Sequence, residues 1–303
     1  MSATRALLGE LVDDAGLFPP AALSMADAVA AHDRAQAGDA DWMQGRFVVP
    51  ASRLAELRGH LDDSPDPFPT SVVLDGDVSE ALVAAAREAQ RDERIAIEAL
   101  EVRAAQIAPH PSGGFTEFDD ACTRAGLLSA VVKYIECSLD GDPKPMLAQL
   151  RDAIDAGRPL CAKVRCGGLT ADAMPDARRL ARFIAEAKSQ GVPFKATAGL
   201  HYPIRHHNDV LGFTMHGFLN VIGGAVLLFA GALDQAALEA MLEDDESAHF
   251  RLNQEALTWN GIAADASTIG TARAAFVHSY GSCSFEEPVD DLCALGMLSA
   301  GTT

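Results

Sequence analysis

Two lysines, Lys163 and Lys195, stand inside short apolar runs, "LCAKVRCGG" (160–168) and "VPFKATAGL" (192–200), where a buried strand ordinarily carries Val or Ile. They are 32 residues apart, the spacing of consecutive strands in a chain of β–α units. Adjacent parallel strands run about 4.8 Å apart, so two such side chains can converge at one mouth. A neighbouring cation and a desolvated pocket both favour the neutral amine, the form that attacks a carbonyl carbon. The resulting Schiff base is an electron sink, suited to aldol cleavage or condensation or to a related dehydration. Glu136, in "LSAVVKYIEC" (128–137), is the acid placed to shuttle protons.

Other charges gather near the ends of the same kind of run: Asp75, Glu98, Glu101, Lys133, Arg165 and His278. Period-two alternation puts Lys163 with Arg165, Lys195 with Thr197, and Tyr134 with Glu136. Burying an uncompensated ion costs on the order of several kcal/mol, so a cluster of them is easier to explain by a site than by stability. Arg165, Thr197, His201 and Glu98 are therefore expected to contact a small anionic or carbonyl substrate. Gly167 and Gly168, read as lying just before a helix, offer backbone amides to an anion. Ser282 and Cys283, in "YGSCSFEEP" (280–288), fall where barrels often bind phosphate, and a helix start there would lower the thiol pKa of Cys283.

A second reading needs a divalent metal ion. Four of the nine histidines fall in "GLHYPIRHHNDVLGFTMHG", and Glu98, Glu136, His201 and His206 could hold a cation for an isomerase, epimerase or hydrolase. The HxH and HExxH spacings are missing from that stretch, and the expected cofactor content is none. A third reading is a non-catalytic ligand-binding barrel whose charges are mutual salt bridges.

The elements that must position these residues alternate along the chain. Candidate strands are 46–51, 71–76, 94–100, 128–137, 160–168, 192–200, 248–253 and 276–283, with amphipathic segments such as "VSEALVAAAREAQR" and "DARRLARFIAEAKSQG" between them. Eight strands in this rhythm predict a (β/α)8 TIM barrel, one domain over 46–303, with residues 1–45 as an N-terminal flanking segment. "GFLNVIGGAVLLFAGAL" (217–233) reads as a buried helix, being short for a membrane span and holding four glycines. The formal net charge of −19 argues against nucleic acid as a partner. Six cysteines without CxxC spacing, and no apolar leader, suit reduced thiols in the cytoplasm. No membrane partner is expected, and a homo-oligomer is compatible with the sequence.

The strings "VVKYIEC", "AKVRCGG" and "FKATAGL", spread over about 70 residues, resemble the motifs of class I aldolases of the deoxyribose-phosphate aldolase type; the chain as a whole resembles a bacterial barrel family. The resemblance implies a Schiff base on Lys195, a tuning role for Lys163, and a phosphate-side turn at Gly167 and Gly168.

Overall fold

The computed structural model describes residues 1–62, 66–107 and 114–298. Eight parallel strands close into a barrel. They are β1 (Val12–Asp14), β2 (Gln44–Pro50), β3 (Phe68–Val73), β4 (Ile95–Arg103), β5 (Val132–Cys137), β6 (Leu160–Arg165), β7 (Phe194–Thr197) and β8 (Val277–Ser282). Each strand pairs with its neighbour in sequence, and β8 pairs with β1 to close the ring. Helices alternate with the strands on the outside, giving the expected (β/α)8 barrel as a single domain.

The strands form because their outward residues are apolar and meet the helices. On β6, Ala162 and Val164 are fully buried on the helix side, while Lys163 between them faces the barrel axis. Helix Ala177–Gln190 opposes them with Leu180, Ala181, Phe183 and Ile184, all fully buried. Its start is fixed by Asp176, whose side chain accepts the Arg179 backbone N–H, and its end by Gly191 in the left-handed region. Asp77 caps helix Val78–Arg91 in the same way.

Two boundaries differ from expectation. The barrel begins at Val12, inside the stretch read as a flanking segment, so residues 1–45 contribute a strand. The run 248–253 is not a barrel strand: Phe250–Leu252 belongs to a small antiparallel sheet with Ala256–Trp259 and Ile262–Asp265. That sheet sits in the long β7–β8 connection, with a hairpin (His206–Asn208 and Phe213–Met215) and the buried segment Leu219–Phe229. This last segment has one π-turn followed by an α-turn and is buried from Leu219 to Leu228. Among the described residues no helix is long and apolar enough to cross a membrane.

Below the mouth the barrel interior holds a polar layer of its own. Tyr134 is buried and its hydroxyl lies 3.1 Å from His278 Nδ1. Burial, helped by the charges of Arg273 and Arg46, pushes His278 down to about 4 from the ordinary 6.5. Below pH 6.5 the unfolded chain takes up this proton and the native chain does not, so stability falls as pH drops from 6.5 towards 4. Between pH 7 and pH 5 this one group should remove about 2 kcal/mol. Urea unfolding of wild type and His278→Asn at both pH values checks it: the wild type is expected to lose that much more than the variant, and equal losses would contradict the assignment.

Candidate active site

The chain has five lysines, and three of them, Lys133, Lys163 and Lys195, are buried. Lys133 faces outward and is held by Asp119 of helix Gly114–Ala125 at 2.9 Å, a structural pair. Lys163 and Lys195 face inward, directly opposite each other on β6 and β7, and Glu136 of β5 is the partner of Lys163 on the other side. The two ammonium groups share one carboxylate. Glu101 Oε2 lies 2.8 Å from Lys163 Nζ, and Glu101 Oε1 lies 2.6 Å from Lys195 Nζ.

Each lysine has a second carboxylate, and the two differ in character. Lys163 also meets Glu136 Oε2 at 2.9 Å, and Glu136 reaches the mouth with its side chain 14 % exposed. Lys195 meets Asp13 Oδ2 at 2.6 Å, and Asp13 is fully buried. Asp13 is locked by two donors besides Lys195: Ser279 Oγ (2.7 Å) on Oδ2, and the Arg46 backbone N–H (3.0 Å) on Oδ1. Gly45 makes this approach possible, since a Cβ there would stand 2.6 Å from Asp13 Oδ1. Ser71 Oγ donates to Glu101 Oε1 (2.7 Å), and the Tyr134 ring lies under Lys195 Nζ, 5.2 Å from it. The floor is thus a chain of five charges, Asp13–Lys195–Glu101–Lys163–Glu136, drawn from β1, β4, β5, β6 and β7.

The electrostatics separate the two lysines. Burial alone would depress Lys195, yet Asp13 and Glu101 outweigh it and hold the ammonium above the ordinary lysine range. Burial would likewise raise Glu101, but Lys163 and Lys195 hold it well below the usual carboxylate range. Each of Lys195 and Glu101 thus favours the charged form of the other. This is the reverse of the depression expected for Lys195 from its neighbouring cation.

Above the floor opens a cavity of about 700 Å³ at the C-terminal ends of the strands. Glu101, Glu136, Lys163 and Lys195 form its base, and Arg165, Thr197, Gly168, His201 and Cys283 line it higher up. Gly167 and Ser282 do not line it. Gly167 is packed against the next loop, where Gly199 Cα would lie 2.9 Å from a Cβ on Gly167. The two glycines also stand well ahead of the helix, which starts at Ala177 after a short turn at Ala171–Ala173, so no helix N-terminus backs them.

Glu98 is a correction. It is the extra residue of a β-bulge in β4, where the register with β3 skips from Ile97 to Ala99. It pairs with Arg46 (3.0 Å) outside the cavity. His206 lies in the hairpin, its ring centroid 3.9 Å from that of Tyr202. The alternative metal set of Glu98, Glu136, His201 and His206 does not assemble, and no group of three or more His, Cys, Asp or Glu among the described residues could hold a metal ion. His201 instead pairs with Glu287 (3.2 Å) and lies beside Cys283, whose Sγ is 3.8 Å from His201 Nδ1. Burial pushes the Cys283 thiol up, against the lowering expected from a helix start.

Asp13, Ser71 and Ser279 are the residues that sequence reasoning missed. The signal for Asp13 was present in "ELVDDAGLF", two acids between apolar residues, but three residues are too few to register as a strand. Fold and site together define a (β/α)8 barrel with a charged, carboxylate-bridged lysine pair on its C-terminal floor. No family model matches the chain, and no curated protein or solved structure matches it.

Proposed function

We propose that the protein is a lyase of the class I aldolase type, acting on a small carbonyl compound through a Schiff base, with Lys163 as the attacking amine. The observation that carries this is the inequality of the pair: both lysines share Glu101, but only Lys163 has a proton acceptor that opens on the cavity. Lys163 is also the more accessible, its side chain 8 % exposed against 1 % for Lys195.

Glu136 takes a proton from the Lys163 ammonium, and the freed amine adds to the substrate carbonyl carbon. The carbinolamine hydroxyl receives that proton from Glu136 and leaves as water, giving a protonated imine. Glu101, kept ionised by the fixed charge of Lys195, balances the positive nitrogen. The imine then accepts the electron pair of a bond to the neighbouring carbon, and Glu136, ionised again, takes the proton released: that of the C–H bond in enamine formation, or that of the hydroxyl on the departing carbon in C–C cleavage, which leaves as a second carbonyl compound. Lys195 thus becomes the cation and Lys163 the nucleophile, exchanging the roles expected from sequence.

Incubation with small ketones and aldehydes in the presence of cyanoborohydride, read by intact mass, tests the reading. One covalent addition per chain is expected. A second reading, a ligand-binding barrel whose five charges only neutralise one another, draws on the complete pairing of both ammonium groups. It leads to no addition with any carbonyl compound.

A further inference from the structure

The cavity is far larger than the few atoms that a Schiff base engages, and its upper wall is built unlike its floor. Two guanidinium groups stand above the lysines. Arg103 ends β4 and is the register partner of Glu136, and Arg165 ends β6, two residues or about 7 Å beyond Lys163. Both are exposed and both line the cavity. Neither is ion-paired with a carboxylate among the described residues; Arg103 Nε donates to the neutral Gln106 Oε1 (3.1 Å). The chain has 43 acidic against 24 basic residues, so its general field repels anions, and only a local pair of cations can hold one.

The rest of the lining is mixed, with Asp75, Asn208 and Glu287 among its polar groups, and one part of it is apolar. Val48 and Val73 come from β2 and β3, Phe18 and Pro19 from the segment after β1, Leu169 from the loop after β6, and Leu211 from the hairpin. Leu169 is half exposed at 52 % and Leu211 is 38 % exposed, so apolar surface waits uncovered at the mouth. A volume of about 700 Å³ is in the range that encloses most of a drug-sized ligand and is much more than a three-carbon compound fills.

We infer that the substrate is a carbonyl compound with an apolar body that also carries an oxyanion, a carboxylate or phosphate, gripped by Arg103 and Arg165. The guanidinium fork matches either anion in bidentate fashion. The carbonyl part of this assignment rests on the Schiff-base reading; the anion and apolar parts rest on the wall alone.

Four probes separate these features: 2-oxo-4-phenylbutanoate, its neutral counterpart 4-phenylbutan-2-one, pyruvate and acetone. With cyanoborohydride, the phenyl oxo acid is expected to add fastest, and the double variant Arg103→Gln/Arg165→Gln to lose its preference over the neutral ketone. Calorimetry of the phenyl oxo acid without reductant is independent of covalent chemistry. Binding there is expected to weaken roughly tenfold or more in the double variant. Displacement of the oxo acid by inorganic phosphate assigns the arginines to a phosphate ester, and absence of displacement assigns them to a carboxylate. Equal trapping of charged and neutral ketones, or affinity unchanged in the double variant, overturns the inference. Arginine-dependent binding with no covalent addition keeps the inference for the anion and removes the Schiff-base reading.

Discussion

Lys163→Met is expected to abolish reductive trapping of carbonyl compounds altogether, while Glu136→Gln slows it roughly hundredfold, the ordinary worth of a positioned acid–base group. The two variants act at different steps. Without Lys163 the only amine left at the cavity base is that of Lys195, which is clamped as an ammonium by Asp13 and Glu101 at 2.6 Å each. Without the Glu136 carboxylate the amine remains, but the group that removes its proton and later releases water has gone. Initial rates of mass gain at fixed ketone concentration measure both effects. Trapping in Lys163→Met at the wild-type rate would contradict the assignment, and an unaffected Glu136→Gln would remove the proton shuttle from it.

Glu101→Gln is expected to cost about 3–5 kcal/mol of folding stability, the penalty for leaving a buried ion without its partner. Glu101 is 2 % exposed and serves two ammonium groups at once, so its neutralisation leaves two charged groups on each side of the break, with Lys195 and Lys163 each short of one carboxylate. Its carboxyl is held well below the ordinary 4.5. A depressed folded pKa makes this contribution complete above that value and lost as pH falls below it, so the cost is measured in full at pH 7. Adding Lys195→Met removes one of the stranded cations, and the double-mutant cycle should show a coupling of roughly 1–3 kcal/mol. Urea denaturation of the four proteins supplies the cycle, and additive costs would mean that the bridge carries no interaction of its own.

The barrel was legible because its evidence is periodic: amphipathic helices ending at glycine, alternating with runs whose outward residues are apolar. The lysine pair was legible because an ammonium inside such a run is costly and therefore conspicuous. What escaped lies where the pattern is too short or is broken. β1 has only Val12, Asp13 and Asp14, and two acids in three residues do not read as a strand. Its place was given to 248–253, a run with the right composition that pairs antiparallel outside the barrel. In β4 the bulge changes which residues share a face, so Glu98 is the candidate the sequence puts forward, although it is Glu101 that bridges the lysines. The sense of the lysine perturbation also depended on the hidden strand. A neighbouring cation lowers a lysine, but Asp13, invisible as a site residue, reverses the balance at Lys195.

The most direct measurement is the position of the trapped adduct. Five lysines give few alternatives, and peptide mapping after reduction distinguishes all of them. The adduct is expected on Lys163, with Lys195 unmodified. An adduct on Lys195, or only on the exposed Lys144, would contradict the claim that Lys163 is the nucleophile and Lys195 the fixed charge beside it.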